Sequence, residues 1–152
     1  MAVTVKPITL WRREVENRPG MLAETLEPLA RAGVDLQSVM GYRLPGDESR
    51  AVIELHAVSG RKAVDAARAS GLSASDIPAL QIDGDNRPGL GHTLATALAD
   101  AGINIAFLVA LAKGRRYTAV AGFDNAEDAK RASAVIRRAS VPSRKATVRK
   151  RR

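Results

Sequence analysis

Two blocks of sequence occur twice in this chain at the same spacing. Residues 16–21 (Glu-Asn-Arg-Pro-Gly-Met) return as residues 85–90 (Asp-Asn-Arg-Pro-Gly-Leu). Residues 32–36 (Ala-Gly-Val-Asp-Leu) return as residues 101–105 (Ala-Gly-Ile-Asn-Ile). Both matches have an offset of 69 residues. Two blocks that match at one offset indicate a duplicated unit, so the chain is expected to fold as two similar halves.

The length of the chain agrees with this duplication. A chain of 152 residues accommodates two small domains. We place the first at residues 1–75 and the second, which carries a basic C-terminal segment, at residues 76–152. A domain of this size buries only a modest core, so packing against a neighbouring unit or a second chain is expected to stabilise it.

Apolar periodicity and turn residues predict the order βαββαβ in each half. In the first repeat the pattern predicts strands over residues 8–15, 34–44, 50–58 and 77–82, and helices over residues 21–32 and 61–70. In the second repeat it predicts a first strand near residues 80–82, a helix from residue 90 to residue 101, and a hairpin of residues 103–112 and 116–123. A second helix over residues 126–139, capped by Asn125, and a last strand over residues 141–148 complete this repeat. The expected fold class is α+β, with two ferredoxin-like units in which both helices cover one face of an antiparallel four-stranded sheet.

The repeated blocks resemble the ACT domain, a regulatory module that binds small molecules. In both halves a strand is followed by Asn-Arg-Pro-Gly, and an apolar helix then closes with Ala-Gly-Val/Ile-Asp/Asn. The resemblance covers almost the entire chain. The chain is similar to stand-alone tandem ACT proteins, which have no catalytic domain. It implies that an amino acid binds where two ACT units pack together, in a homodimer or at the internal interface, and that its occupancy is passed to a protein target.

The chemistry of the repeated loop suits such a ligand. The Pro-Gly step leaves the first N–H groups of the next helix, at residues 21–23 and 90–92, facing an anion such as a carboxylate. The asparagine of the loop offers both donors and an acceptor, and the Asp or Asn of the next strand offers oxygen to an ammonium group. The candidate ligand-binding residues are Asn17, Gly20, Met21, Leu22 and Asp35 in the first repeat, and Asn86, Gly89, Leu90, Gly91, His92 and Asn104 in the second.

The repeats differ at two positions that bear on binding. Gly91 stands where the first repeat has Leu22, which removes an apolar side chain beside the helix and favours the second repeat as the binding site. Arg13 stands where the second repeat has Ile82, which places a charge on a face expected to be buried. The simpler alternative for both loops is structural. Asn17 and Asn86 would cap their helices, for which asparagine is a preferred residue, and Gly20 and Gly89 would relax the backbone.

Residues 105–112 form an apolar run without polar alternation. In a ferredoxin-like unit this strand lies at a sheet edge, and a long apolar edge tends to aggregate unless it is paired. We expect the strand to join another one, either in the first repeat or in a second molecule. The alternative is that local loops cover it.

The charge distribution suggests a different function. The net charge is +8, and residues 130–152 contain ten basic residues and no acidic one. A basic adaptor that contacts nucleic acid through this segment is therefore the alternative function. Only five residues are aromatic, which disfavours the version of this fold that stacks RNA bases on its sheet.

Several other classes of protein are disfavoured. The sequence contains no cysteine, and its two histidines, His56 and His92, have no carboxylates at metal-ligand spacing, so neither a metal nor a cofactor is expected. Phosphate-binding loops and nucleophile motifs are lacking, so the protein is predicted not to be an enzyme. No apolar run is long enough to cross a membrane and no secretory signal precedes the first strand, so a cytoplasmic location is expected.

Overall fold

The computed structural model describes residues 3–142 and contains two four-stranded sheets and four helices. The predicted α+β class, with two ferredoxin-like units, is confirmed. In chain order the elements are β1 (Thr4–Ile8), β2 (Trp11–Glu16), α1 (Met21–Arg31), β3 (Ser38–Leu44), β4 (Asp47–His56), α2 (Arg61–Ala69), β5 (Ser73–Ala74), β6 (Ala79–Asp85), α3 (Leu90–Asp100), β7 (Ile105–Lys113), β8 (Arg116–Phe123) and α4 (Ala126–Ala139).

The first compact unit comprises residues 7–79. Its sheet has the order β3-β4-β2-β5, in which β2 runs antiparallel to both β4 and β5. One core holds Leu29 of α1 and Ala67 of α2 together with alternate residues of β4, Ile53 and Leu55. Both helices therefore cover the same face of the sheet.

The second unit contains residues 80–142 and, from the start of the chain, residues 3–6. Its sheet has the order β1-β6-β8-β7, so β1 holds the edge position that β5 holds in the first unit. Val5 of β1 belongs to the core of this unit, beside Leu80 and Ile136. Pro7 is compatible with such a position, because an edge strand can lack one N–H donor. Whereas the sequence-based division places residues 1–75 together, the strand pairing joins β1 to the second repeat.

The strands at the ends of the units differ from those predicted. The expected strand over residues 8–15 is two strands, because the chain leaves one sheet after Ile8 and enters the other at Trp11. The strand that completes the first unit is Ser73–Ala74 and not residues 77–82, which mostly belong to the first strand of the second repeat. The predicted last strand, residues 141–148, lies largely outside the described residues.

The helices begin and end close to where the sequence predicts. Gly20 and Gly89 precede α1 and α3 with φ angles of 94° and 79°, in the left-handed region that glycine tolerates best. The predicted cap of α4 is confirmed, since the Asn125 side chain accepts a hydrogen bond of 2.8 Å from the Asp128 N–H. None of the helices within residues 3–142 is long and apolar enough to span a membrane.

Arg13 of β2, the charge predicted on a buried face, has specific partners. Arg13 is partly buried, and its guanidinium donates a 3.0 Å hydrogen bond to Thr25 Oγ1. Thr25 is fully buried and donates in turn to the Met21 carbonyl at 2.8 Å. Glu24 lies 3.7 Å from the same guanidinium. A polar residue on α1 thus allows β2 to carry an arginine where β6 carries isoleucine.

A buried carboxylate makes the stability of the first unit depend on pH. Glu54 is 2% exposed, opposite Arg12 in the β2–β4 register, with Arg12 Nε at 3.5 Å from Glu54 Oε1. Burial raises the pKa of Glu54 above its ordinary value of 4.5, and the attraction of Arg12 only partly offsets this effect. The folded state therefore favours the protonated carboxyl, and this contribution is lost as the pH rises through the raised pKa.

We expect the native chain to lose free energy of unfolding relative to Glu54→Gln as the pH rises from 4.5 towards neutrality. Glu14→Gln is the control of opposite sign. A hydrogen bond from Arg12 lowers the pKa of Glu14, so its contribution should be lost as the pH falls below 4.5. Urea unfolding at a series of pH values measures both. Parallel profiles for the native chain and Glu54→Gln would contradict the assignment.

Candidate functional site

An apolar cavity of about 260 Å³ lies between α3 and the sheet of the second unit. Gly91 and Asn86 line it at the start of α3, and Leu108 and Leu111 line it on β7. Because Leu108 and Leu111 are 56% and 70% exposed, the cavity reaches the protein surface. No charged side chain of residues 3–142 lines this space, which we call the α3 cavity. Its inner wall includes Ile82, Leu90, Leu94 and Leu98.

Two substitutions between the repeats account for the apolar wall. Ile82 and Leu94 line the α3 cavity, whereas the first repeat has Arg13 and Thr25 at the positions 69 residues earlier. There the arginine and threonine are hydrogen bonded to each other. The second repeat therefore has an apolar surface at a place where the first has a polar pair.

A third substitution opens the cavity at the helix start. A Cβ atom added to Gly91 would meet no atom within 4 Å, so the space beside this residue is empty. The corresponding Leu22 of the first repeat carries a side chain that is 47% exposed. The space predicted beside Gly91 is therefore continuous with the α3 cavity.

The first turn of α3 offers two free donors. The Leu90 N–H is not one of them, contrary to expectation, because it donates to the Arg87 carbonyl at 3.2 Å. Within the described residues, no carbonyl accepts a hydrogen bond from the N–H groups of Gly91 and His92. These two groups lie at the positive end of the helix dipole, where an anion is favoured.

The two loop asparagines do not cap their helices, so the capping part of the structural alternative is wrong. The residues at the cap positions are Gly20 and Gly89, and neither helix has a side-chain cap. The amide of Asn17 instead donates to the Glu48 carbonyl at 2.8 Å. The side chain of Asn86 has no hydrogen-bond partner among the described residues and lines the α3 cavity.

Other predicted site residues lie outside the α3 cavity. Asn104 is exposed and donates to Asp124 Oδ2 at 3.2 Å. Asp35 is exposed and accepts from Gln37 Nε2 at 3.2 Å. His92 is exposed, and its side chain is not part of the cavity wall. Of the second-repeat candidates, the cavity wall brings together Asn86, Leu90 and Gly91.

The candidates of the first repeat surround a more polar surface. Met21 is buried, and the groove beside it is lined by charged side chains that include Arg13, Arg18 and Glu24. Arg18 and Arg13 both lie within 4 Å of Glu24, so the charges of this groove are partly paired. The two repeats thus place chemically different surfaces beside the same loop.

Sequence reasoning missed Leu94 and Tyr117 as wall residues. Leu94 is detectable by aligning the repeats, since it replaces the buried Thr25. Tyr117 gives no such signal. Its ring lies against Gly84, where an added Cβ would be 2.8 Å from Tyr117 Cε1 and 3.2 Å from the hydroxyl oxygen. Tyr117 lines the α3 cavity, whereas Gly84 does not.

Among residues 3–142, no group of three or more potential ligands could hold a metal ion.

The fold is similar to several solved structures. A protein from Bacteroides thetaiotaomicron matches with a TM-score of 0.69 and 19% identity, over 84% of this chain and 87% of that one. The ligand-free regulatory subunit of aspartate kinase from Thermus thermophilus matches with a TM-score of 0.61 and 18% identity, over 93% and 98%. The corresponding subunit from Thermus flavus matches with a TM-score of 0.60 and 17% identity, over 91% and 97%. At these identities the likeness establishes the fold.

No family model matches the chain, and no curated protein matches it in sequence.

Proposed function

We propose that the protein is a non-catalytic regulatory module that binds a small amino acid or a related carboxylate beside the start of α3. The observation that carries this proposal is the coincidence of free donors with a cavity. The N–H groups of Gly91 and His92 and the amide of Asn86 have no partner within the described residues, and Asn86 and Gly91 line the α3 cavity. The donors bind the carboxylate, and the cavity receives the rest of the ligand.

Known proteins of this fold support a regulatory role. Two of the similar structures are regulatory subunits of aspartate kinase, and they are covered almost completely by this chain. The ACT-like repeat of the sequence points in the same direction. By analogy, the chain senses an amino acid and passes its occupancy to a protein target.

In this proposal a second chain covers the open side of the site. Among the strands of residues 3–142, β7 is at the edge of its sheet and has β8 as its neighbour. Leu108, Val109 and Leu111 of this strand are 56%, 46% and 70% exposed. An apolar edge of this kind is stabilised by pairing with another strand, and a homodimer places the ligand between two ACT-like units.

Ligand binding then acts by a population shift. A ligand that contacts both units stabilises the arrangement in which they are closed. The size of the shift is limited by the difference in its affinity for the closed and open arrangements.

The nucleic-acid alternative has less support. Of the ten basic residues at positions 130–152, Arg131 donates to the Ala101 carbonyl and Arg137 to the Val5 carbonyl, so these two serve the fold. Residues 143–152 lie outside the described part of the chain. We therefore keep nucleic-acid binding only as the outcome to be considered if no amino acid binds.

A thermal-shift screen of the full chain against the twenty amino acids tests the proposal. A ligand at a hundredfold its dissociation constant adds about 2.7 kcal/mol of stability, so a selective upward shift is expected. Asn86→Ala should abolish the shift, whereas Asn17→Ala in the first repeat is the matched control and should retain it. The proposal fails if no amino acid shifts the melting temperature, or if both variants respond like the native chain.

A further inference from the structure

The α3 cavity indicates which amino acids the protein selects. We propose that the ligand carries a bulky apolar side chain, either branched aliphatic or aromatic, and that one such ligand binds per chain, in the second repeat. This inference rests on the proposed function and adds to it the chemical class of the ligand.

The volume of the α3 cavity favours a ligand with a bulky side chain. An apolar cavity of about 150 Å³ in another protein is large enough to hold benzene. The α3 cavity, at about 260 Å³, therefore has room for a branched aliphatic or benzyl group and for part of the ligand backbone. Glycine or alanine would leave most of this space empty.

The apolar wall of the α3 cavity favours an apolar side chain. The side chains of Ile82, Leu94 and Leu98 face the space, and no charged side chain within residues 3–142 lines it. An aspartate or lysine side chain placed there would lose its hydration without gaining a partner, which is strongly unfavourable. The single amide, Asn86, lies at the helix start beside the free N–H groups, where it serves the carboxylate end of the ligand.

The differences between the two repeats favour a single site in each chain. The three positions that create the cavity, Ile82, Gly91 and Leu94, are arginine, leucine and threonine in the first repeat. Because Arg13 donates to Thr25 at 3.0 Å, the first repeat presents a polar pair where the second presents an apolar wall. Because the second repeat has the apolar wall and the first does not, one ligand is expected to bind per chain.

The experiment measures dissociation constants of the full chain by isothermal titration calorimetry. The probes are leucine, isoleucine and phenylalanine, compared with alanine, aspartate and lysine. One methylene group in an apolar pocket changes affinity by about tenfold or more, so leucine should bind at least about tenfold more tightly than alanine. Aspartate and lysine should bind more weakly still, and the stoichiometry should be one per chain.

Variants that transfer residues between the repeats identify the site. Gly91→Leu installs the residue of the first repeat in open space, so the chain should fold while the affinity for leucine falls at least about tenfold. Leu94→Thr should weaken leucine binding in the same way. The control is Val39→Ala in the first repeat, which truncates a side chain that is 44% exposed and should leave the dissociation constant unchanged.

The outcomes separate this inference from the proposed function. If aspartate, lysine or another polar amino acid binds best and Asn86→Ala abolishes that binding, the apolar selectivity is overturned and the proposed function stands. If leucine binds but Gly91→Leu and Leu94→Thr have no effect, its side chain does not occupy the cavity and the inference is overturned. If leucinamide, which lacks the carboxylate, binds as tightly as leucine, the cavity assignment holds and the carboxylate recognition fails. If no amino acid binds and Gly91→Leu disrupts a dimer, a second copy fills the cavity and both proposals fall.

Discussion

Replacing Phe123 with alanine is expected to lower the free energy of unfolding by about 3–5 kcal/mol. Phe123 is the last residue of β8 and is 1% exposed. It belongs to the core of the second unit, in the same cluster as Leu98 of α3 and Ile136 of α4. Truncation removes a buried aromatic ring and leaves a cavity, because the surrounding core residues relax only partly.

Guanidinium unfolding followed by circular dichroism measures this effect. Val141→Ala, just after α4, is the control, because Val141 is 68% exposed and its truncation should cost well under half as much. A native protein has a total stability of about 5–15 kcal/mol, so the Phe123 variant should be close to unfolding at elevated temperature. A loss below about 1.5 kcal/mol would show that Phe123 is not packed as described.

Gly84→Ala is expected to destabilise the second unit by about 1–3 kcal/mol, although it adds only one methyl group. A Cβ atom at this position would lie 2.8 Å from Cε1 of Tyr117. That distance is too short for two carbon atoms, so the ring must move from its place beside the α3 cavity. Thermal or chemical unfolding measures the loss.

A double-mutant cycle identifies the cause of this loss. In a Tyr117→Leu background the clash is absent, so Gly84→Ala should cost less than about 0.5 kcal/mol. Gly91→Ala is the control for adding a methyl group to open space, and it should leave the stability unchanged or raise it. Equal losses from Gly84→Ala in both backgrounds would contradict the steric explanation.

The parts of the fold that depend on local signals could be predicted from the sequence. The start of α1 at Met21, the start of α3 at Leu90 and the cap of α4 at Asn125 follow from glycine, proline and asparagine at fixed positions. The apolar pattern of β7 and β8 was sufficient to predict their hairpin. In each case the residues that determine the element lie within or beside it.

The features that were missed depend on distant parts of the chain. The apolar pattern of residues 8–15 fits one strand, and nothing local shows that the chain changes sheets between Ile8 and Trp11. The cavity wall is similar in this respect, since the contribution of Tyr117 depends on the space left by Gly84 on another strand. Within the site, comparison of the repeats singles out Gly91, while Asn104 proved to lie on a different surface, bonded to Asp124.

The pairing of β1 with β6 means that the boundaries of the sequence repeats and those of the folded units do not coincide. During synthesis β1 must wait for its partner until residues 79–85 exist, about a whole repeat later. Such long-range pairing forms slowly, whereas the unit of residues 7–79 needs no strand from outside itself. Cutting the chain after residue 75 would therefore not yield two equivalent halves: one piece would keep an extra strand, and the other would expose the edge of β6.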